Sequence, residues 1–371
     1  MALAEDHMDW RRLIDAPELT RFVTEALQAA GARQSDAVVT AEVLVAADLG
    51  GVESHGVARL RRYVEGLRTG DINRSAQPEL VSDKGSVGVL DAHNGLGQPA
   101  LRDAVDLAVS KAKRFGTSVV MVRRSNHMGI AGWFAERAAS AGVLAMVSTN
   151  AVPQVAPMGT NEPMFGTNPL CYAVPTSTGP LCFDGATSIV SRGKLEQLDR
   201  LDQPMLEGWA LGPDGRTTTD IPETVQGLIH RKGYALLPLG GGDKDHGGHK
   251  GSALSLLVEL LCGPLAGAQW SRHTYQNGEG GLGHFVFCLD LDALGEADAI
   301  RAGVSELAHE VRSGAPTETH SPVRMPGDRR RLTTKMRREG GIPVLESVVA
   351  DLNDIADVVG IKPVSALTYS A

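Results

Sequence analysis

His55 and Arg59 are the residues whose types and spacing first suggest chemistry. An imidazole moves a proton near neutral pH. A guanidinium grips a carboxylate with two parallel hydrogen bonds. Four residues apart on a helix, His55 and Arg59 share one face, and aimed at one point they suit a small anionic substrate. They lie in the run Asp48-Leu49-Gly50-Gly51-Val52-Glu53-Ser54-His55-Gly56-Val57-Ala58-Arg59-Leu60. A helical pattern with Val38, Val39, Ala41, Val43, Leu44 and Ala47 precedes it, and the Gly-Gly pair breaks that helix. A second pattern follows, with Val57, Leu60, Tyr63, Val64 and Leu67 on one face. Ser54 is its expected N-cap, which puts His55 in the first turn.

A second histidine, His127, stands in Ser125-Asn126-His127-Met128-Gly129, directly after a β-rich stretch. Two further strands run into polar loops, one at Thr149-Asn150 and one at Asp184-Gly185-Ala186-Thr187-Ser188. Ligands gather beyond such strand ends in open α/β sheets. Glycine-rich residues 240–248 lead into His249-Lys250-Gly251-Ser252 and an apolar helix. A loop of this kind offers backbone N–H groups to an anion, and Lys250 adds a charge. The Walker A order fails here, so a pyrophosphate or substrate carboxylate is the better guess. Asp243, Asp245, His246 and His249 read as a solvated loop, and no metal site is expected. Gly95-Leu96-Gly97-Gln98-Pro99-Ala100 has the outline of a dinucleotide fingerprint between strand and helix. Pro99 lies inside its turn, and Arg123 and Arg124 stand where an acid is expected. A tight turn before an amphipathic helix is the preferred reading.

The elements that must carry these residues follow from the periodicity. Residues 9–70 read as helix throughout, including 10–13, with Ser35 capping the segment before the glycine pair. From about residue 80, strands alternate with helices. Residues 196–231 are polar and read as a surface excursion. At 371 residues the chain suits about two domains. With 42% hydrophobic and 22% charged residues it has the composition of a soluble globular protein. A net charge of −8 argues against a general nucleic-acid binder. No apolar stretch has membrane length, because residues 252–268 contain Glu259 and Pro264. Cys171, Cys182, Cys262 and Cys288 match no zinc spacing and suit buried thiols in a reducing cytoplasm.

Six ordered motifs add a resemblance. They are Asp48-Leu49-Gly50-Gly51-Val52-Glu53-Ser54-His55-Gly56-Val57, Ser125-Asn126-His127, Gly166-Thr167-Asn168-Pro169, Asp184-Gly185-Ala186-Thr187-Ser188, His249-Lys250-Gly251 and Met325-Pro326-Gly327. Together they resemble the malate/L-lactate dehydrogenase family of the non-Rossmann type, which also holds sulfolactate, ureidoglycolate and diketogulonate oxidoreductases and cyclic imino-acid reductases. The resemblance implies an α/β fold in two parts. Residues 1–78 with 305–371 would form a helical domain from both chain ends, and residues 79–304 a mixed-sheet, non-Rossmann NAD(P)-binding domain. It implies His55 as the proton-transfer histidine, His127 as a second candidate, Arg59 as the carboxylate clamp, and Ser54 and Thr167 as substrate contacts. Implied cofactor contacts are His127, Met128, Gly129, Asn150, Asp184, Gly185, Ala186, Thr187, Lys250, Gly251, Arg329 and Arg330. A small carboxylate substrate, NAD or NADP and a homodimer complete the expectation, with no nucleic acid or membrane partner. Two departures stand out. Gly51 occupies the place of a serine in the imino-acid reductase branch, four residues before the histidine, which favours 2-oxo/2-hydroxy acid chemistry. Asp328-Arg329 follows the Pro-Gly pair, and Arg192 or Arg329-Arg330-Arg331 offer charge to a 2′-phosphate.

Overall fold

The computed structural model describes residues 11–276, 278–317 and 322–365. The chain divides into two compact units, one comprising everything up to Ser75 and from Asp328 onward, the other Ala76–Gly327. Residues 305–327, expected with the helical part, therefore belong to the second unit.

The first unit opens with a strand where sequence periodicity suggested a helix. β1 (Arg11–Ile14) is followed by α1 (Ala16–Ala29), α2 (Gln34–Leu49), two 3₁₀ turns at Glu53–His55 and Val57–Arg59, and α3 (Leu60–Thr69). α1 buries Leu19, Phe22, Val23, Ala26 and Leu27, the spacing of one helical face. Burying each large side chain contributes about 1.5–3 kcal/mol, far more than the helix propensities of a 14-residue segment. Arg33, not Ser35, is the N-cap of α2; the Ser35 hydroxyl instead reaches the Asp36 carboxylate at 3.2 Å. α3 buries Leu60, Tyr63, Val64 and Leu67, as its pattern predicts, and ends on Gly70 at φ +90°.

The second unit is built on one mixed sheet. Its early elements are β2 (Glu79–Lys84), β3 (Val87–Asp91), α4 (Gly97–Phe115), β4 (Thr117–Ser125), α5 (Ala131–Ser140), β5 (Val143–Thr149), β6 (Leu170–Val174) and β7 (Leu181–Gly185). Then come α6 (Arg192–Arg200), β8 (Ala210–Leu211), β9 (Thr217–Thr218), α7 (Ile221–Ile229), β10 (Ala235–Leu236), α8 (Gly248–Cys262), β11 (Leu282–Asp290) and α9 (Ala297–Arg312). The seven-stranded order is β2-β3-β4-β11-β5-β6-β7, with β3–β4 parallel and the other pairings antiparallel. A doubly wound dinucleotide sheet would be parallel at its centre. Here β11, from late in the chain, separates β4 from β5.

Residues 196–231 are more than a surface excursion. α6, α7 and the small sheet β10-β8-β9 enclose a core of their own, including Val190, Leu195, Leu198, Met205, Ile221, Val225 and Leu228. Ser191 and Asp220 cap the two helices by accepting from the backbone N–H groups of Lys194 and Glu223. Each helix alone is short enough to read as loop; together their apolar residues close a core.

The chain then returns to the first unit with α10 (Asp328–Gly340), β12 (Ile342–Leu345) and α11 (Glu346–Val359). β12 pairs antiparallel with β1, Ile14 opposite Ile342. A strand whose only partner among the described residues lies more than 300 residues away leaves no local signature, which is why residues 10–13 read as helix.

The Gly95–Gly97 turn has a structural explanation. A Cβ on Gly97 would stand 2.2 Å from the Asn126 carbonyl oxygen and 2.7 Å from that of His127. The Asn126 amide donates to the carbonyl oxygens of Asn94 and Gly95, each at 3.0 Å. The glycine turn thus admits the histidine loop itself, not a pyrophosphate. Gly97→Ala is expected to lower Tm by several degrees, matching the 1–3 kcal/mol typical of overpacking. An unchanged Tm by calorimetry would refute the close approach.

Candidate active site

In the first unit, the chemistry-bearing residues sit on a turn, not on one helix. α2 ends at Leu49, and Gly51 at φ +72° reverses the chain. His55 closes one 3₁₀ turn and Arg59 the next, with extended Gly56 between them. The shared helical face expected from their spacing does not exist. The Arg59 Nε donates instead to the Ser54 carbonyl oxygen at 2.7 Å, which folds the two turns together. Ser54 is not a helix cap: its hydroxyl lies 2.9 Å from His55 Nδ1 and fixes the ring. Which of the two donates depends on the imidazole tautomer.

Asp48 holds this turn from within. Its Oδ2 accepts the Val57 backbone N–H at 2.7 Å. A Cβ on Gly56 would lie only 1.9 Å from Asp48 Oδ1, so the carboxyl fills the space that glycine leaves. Burial pushes the Asp48 carboxyl up to about 8; the Val57 N–H opposes the shift, Glu53 adds to it and Arg337 opposes it. Arg337 reaches over from α10, donating to the Asp48 carbonyl oxygen and, at 2.6 Å, to Glu53 Oε1. One row of α10, Arg330, Thr333 and Arg337, lies along the loop. The Arg330 stem would stand 2.6 Å from a Cβ on Gly50, and Thr333 Cγ2 3.2 Å from one on Gly51. Arg330 therefore packs over Gly50 with its stem, whereas Arg329 is exposed. Sequence spacing held no signal for this brace, because its members lie about 280 residues apart.

In the second unit, the ends of β4, β5 and β7 carry the other expected residues. His127 Nδ1 accepts the Gly129 N–H at 3.3 Å, which leaves Nε2 as the proton-bearing nitrogen of the neutral ring. Met128 is fully buried. Asn150 is buried with its amide in use, donating to the Gln269 carbonyl oxygen at 2.6 Å and accepting the Gly283 N–H at 3.0 Å. Met128 and the Asn150 side chain thus serve packing and loop geometry. Behind these loops, buried His284 on β11 bridges Ser125 and Thr149, each at 2.8 Å. Burial drives its pKa down to about 3, so it is a neutral cross-strand tie.

Asp184 Oδ2 accepts the Gly132 N–H at 2.7 Å, at the start of α5. Thr187 donates its N–H to the Thr167 carbonyl oxygen at 2.9 Å and its hydroxyl to the Asn168 carbonyl oxygen at 3.0 Å. The Thr187 carbonyl oxygen accepts the Leu239 N–H, and the missing Cβ of Gly251 would meet the Leu239 carbonyl oxygen at 2.0 Å. The structure thus brings Thr167, Thr187 and Gly251 into adjoining layers, with exposed Lys250 beside Gly251. Gly247, at φ +87°, turns the glycine-rich loop into α8. A 15-residue helix N-terminus with a lysine in its first turn is a donor set that fits an anionic dinucleotide. Several arginines have close carboxylate partners. Arg192 pairs with Glu196 at 3.0 Å, Arg331 with Asp328 at 2.7 Å, and Arg123 and Arg124 both point Nε at Asp91. Among the described residues no three His, Cys, Asp or Glu side chains gather as a metal site, and His246 lies 2.9 Å from the Asp243 carboxylate.

The profile of the malate/L-lactate dehydrogenase family matches residues 14–353. The malate dehydrogenase of Pyrococcus abyssi is 38% identical over 351 residues, covering 94% of this chain and 95% of that protein. A Δ1-pyrroline-2-carboxylate reductase of Ancylobacter novellus is 34% identical over 93% of this chain and 98% of its own length. Among solved structures, the malate dehydrogenase of Pyrococcus horikoshii OT3 superposes with a TM-score of 0.88 at 35% identity, covering 98% of this chain and 99% of that one. The chain belongs to the malate/L-lactate dehydrogenase family. It is an enzyme, an oxidoreductase of the class that acts on CH–OH groups.

The buried Asp48 carboxyl makes stability depend on pH in a set direction. Its pKa is 3.8 in the unfolded chain and about 8 in the folded one, so between those values the native state holds the extra proton. Stability must then fall as pH rises through that window. Asp48→Asn keeps an acceptor for Val57 and removes the titration. Its Tm relative to the wild type is expected to rise by roughly 5 °C between pH 4 and pH 8. A difference that stays constant across this range would refute the buried, proton-holding carboxyl.

Proposed function

We propose that the enzyme transfers a hydride reversibly between NAD(P)H and C2 of a small 2-oxo/2-hydroxy acid of the malate type. The observation that carries this reading is the turn holding His55 and Arg59, tied together through Ser54 and braced from below by Asp48. When bound, the reduced nicotinamide supplies the hydride. Lys250, Gly251 and the N-terminus of α8 hold its phosphates, with Asp184–Thr187 alongside. Arg59 binds the substrate carboxylate. His55 gives a proton to the carbonyl oxygen as it gains alkoxide character, and takes it back in the oxidation direction. Thr167 contacts the substrate, and His127 offers Nε2–H as a second hydrogen-bond donor.

Gly51 favours the hydroxy-acid reading over cyclic imine reduction. Its φ of +72° is one that L side chains rarely adopt, and Thr333 crowds its Cβ position, so a serine relay to His55 has no ready place here. The malate dehydrogenase relatives point the same way, while the pyrroline-2-carboxylate reductase keeps the alternative concrete. The test is absorbance at the reduced-nicotinamide band, with NADH or NADPH and a panel of 2-oxo acids, repeated with methylamine. Oxidation without amine supports the proposal; oxidation only with amine or a preformed cyclic imine rejects it. His55→Ala should lower kcat about 10²- to 10⁴-fold with the fold intact by circular dichroism, while Arg59→Lys should chiefly raise KM. Unchanged turnover or unchanged KM would remove the respective role.

The reading includes a homodimer. α8 and the turn after it expose Leu254, Leu256, Leu257, Leu260 and Leu265, each at least 39% accessible, an apolar face of the kind that subunits cover. Sedimentation is expected to show a dimer that Leu257→Glu weakens; a wild-type monomer at micromolar concentration would reject it. No helix among the described residues is long and apolar enough to cross a membrane. The four cysteines are free and buried, which suits a reducing cytoplasm.

A further inference from the structure

Past its first turn, α8 carries its polar side chains inward. Ser252, Ser255 and Glu259 follow one another at helical spacing along one edge, while the leucines lie outside. Ser252 Oγ accepts the Met158 N–H at 2.8 Å, and Ser255 Oγ accepts from the Asn168 amide at 3.1 Å. Glu259, 3% exposed, takes three donors. Its Oε1 accepts the Gly166 N–H at 3.2 Å and the Asn168 amide at 2.8 Å, and its Oε2 accepts the Ser271 N–H at 2.9 Å. Among the described residues none of its partners is a cation.

Two of these donors flank Thr167. The backbone they hold is one the chain does not adopt freely. Asn168 sits at φ +44°, and a Cβ on Gly166 would meet Asn168 Oδ1 at 2.5 Å and the Ala151 N at 2.6 Å. Within this fixed turn, the half-buried Thr167 hydroxyl has no protein partner among the described residues. We infer that Glu259 is a positioning residue, which grips residues 166 and 168 so that the Thr167 hydroxyl stays aimed at the substrate. This rests on the reading of Thr167 as a substrate contact.

A carboxylate accepts at both oxygens, whereas a glutamine of the same shape presents an NH₂ to one of the donors. Glu259→Gln therefore sets a buried NH₂ against either the Ser271 N–H or the Gly166 and Asn168 donors, and the three-way grip weakens. The test compares wild type, Glu259→Gln, Thr167→Val and the double variant. Steady-state kinetics with oxaloacetate is set beside NAD(P)H binding by fluorescence titration and beside Tm. Both single variants are expected to raise KM roughly tenfold, with cofactor affinity within about twofold of wild type. The double variant should be no worse than the worse single one, because the two act through one contact. Asn168→Gly tolerates the positive φ and removes the amide that Glu259 holds, so it should raise KM likewise; it carries the test if Glu259→Gln does not fold. If Thr167→Val raises KM while Glu259→Gln or Asn168→Gly changes only Tm, the positioning role is overturned. Fully additive effects in the double variant also overturn it. If Thr167→Val leaves KM unchanged, the substrate role of Thr167 falls, and the inference with it.

Discussion

Tight turns leave backbone N–H groups without helical or sheet partners, and a buried N–H must find an acceptor. Both units meet this constraint with a carboxyl side chain reached from a neighbouring helix. In the first, Asp48 at the end of α2 accepts the Val57 N–H beneath His55 and Arg59. In the second, Glu259 in the middle of α8 accepts from residues on both sides of Thr167. Each carboxyl is nearly inaccessible, so each is costly to bury, and each is retained where a turn has to keep one conformation.

Close approach of backbone to backbone is the second recurring device. Gly56 makes room for the Asp48 carboxyl, Gly97 for the Asn126–His127 carbonyls, and Gly251 for Leu239. In each case the glycine serves the protein's own packing before any ligand. The glycine motif at Gly95–Gly97 shows the consequence. A pattern that elsewhere admits a pyrophosphate here admits the histidine loop, because β11 enters the sheet beside β4 and no doubly wound crevice forms.

The basic segment near the end of the chain is likewise structural in part. Arg337 spans the loop between α2 and the first 3₁₀ turn, and the Arg330 stem covers Gly50. These contacts tie the chain's C-terminal helices to the turn that bears His55. They also account for Gly51, whose φ of +72° is open to glycine and whose Cβ position Thr333 crowds.

Local sequence determined a good deal. Apolar periodicity placed the helices on either side of the glycine pair and the strands that run into the loops at His127, Asn150 and Asp184, because burial against neighbouring elements dictates the spacing. Residue chemistry singled out His55, Arg59, His127 and Lys250, and six motifs in order carried the family. What only tertiary structure decided involves partners far apart in the chain. β1 is a strand because β12 pairs with it; residues 196–231 are a small packed body because Val155 and Val190 close its core; Glu259 is a hub because Gly166 and Ser271 fold back to it. Even the relation of His55 to Arg59 was of this kind. Their spacing suggested one helical face, and the buried Asp48 carboxyl, accepting from Val57, helps hold two short turns in its place. Spacing records what a residue's neighbours in the chain require, while a hydrogen bond across hundreds of residues leaves no periodic trace to read.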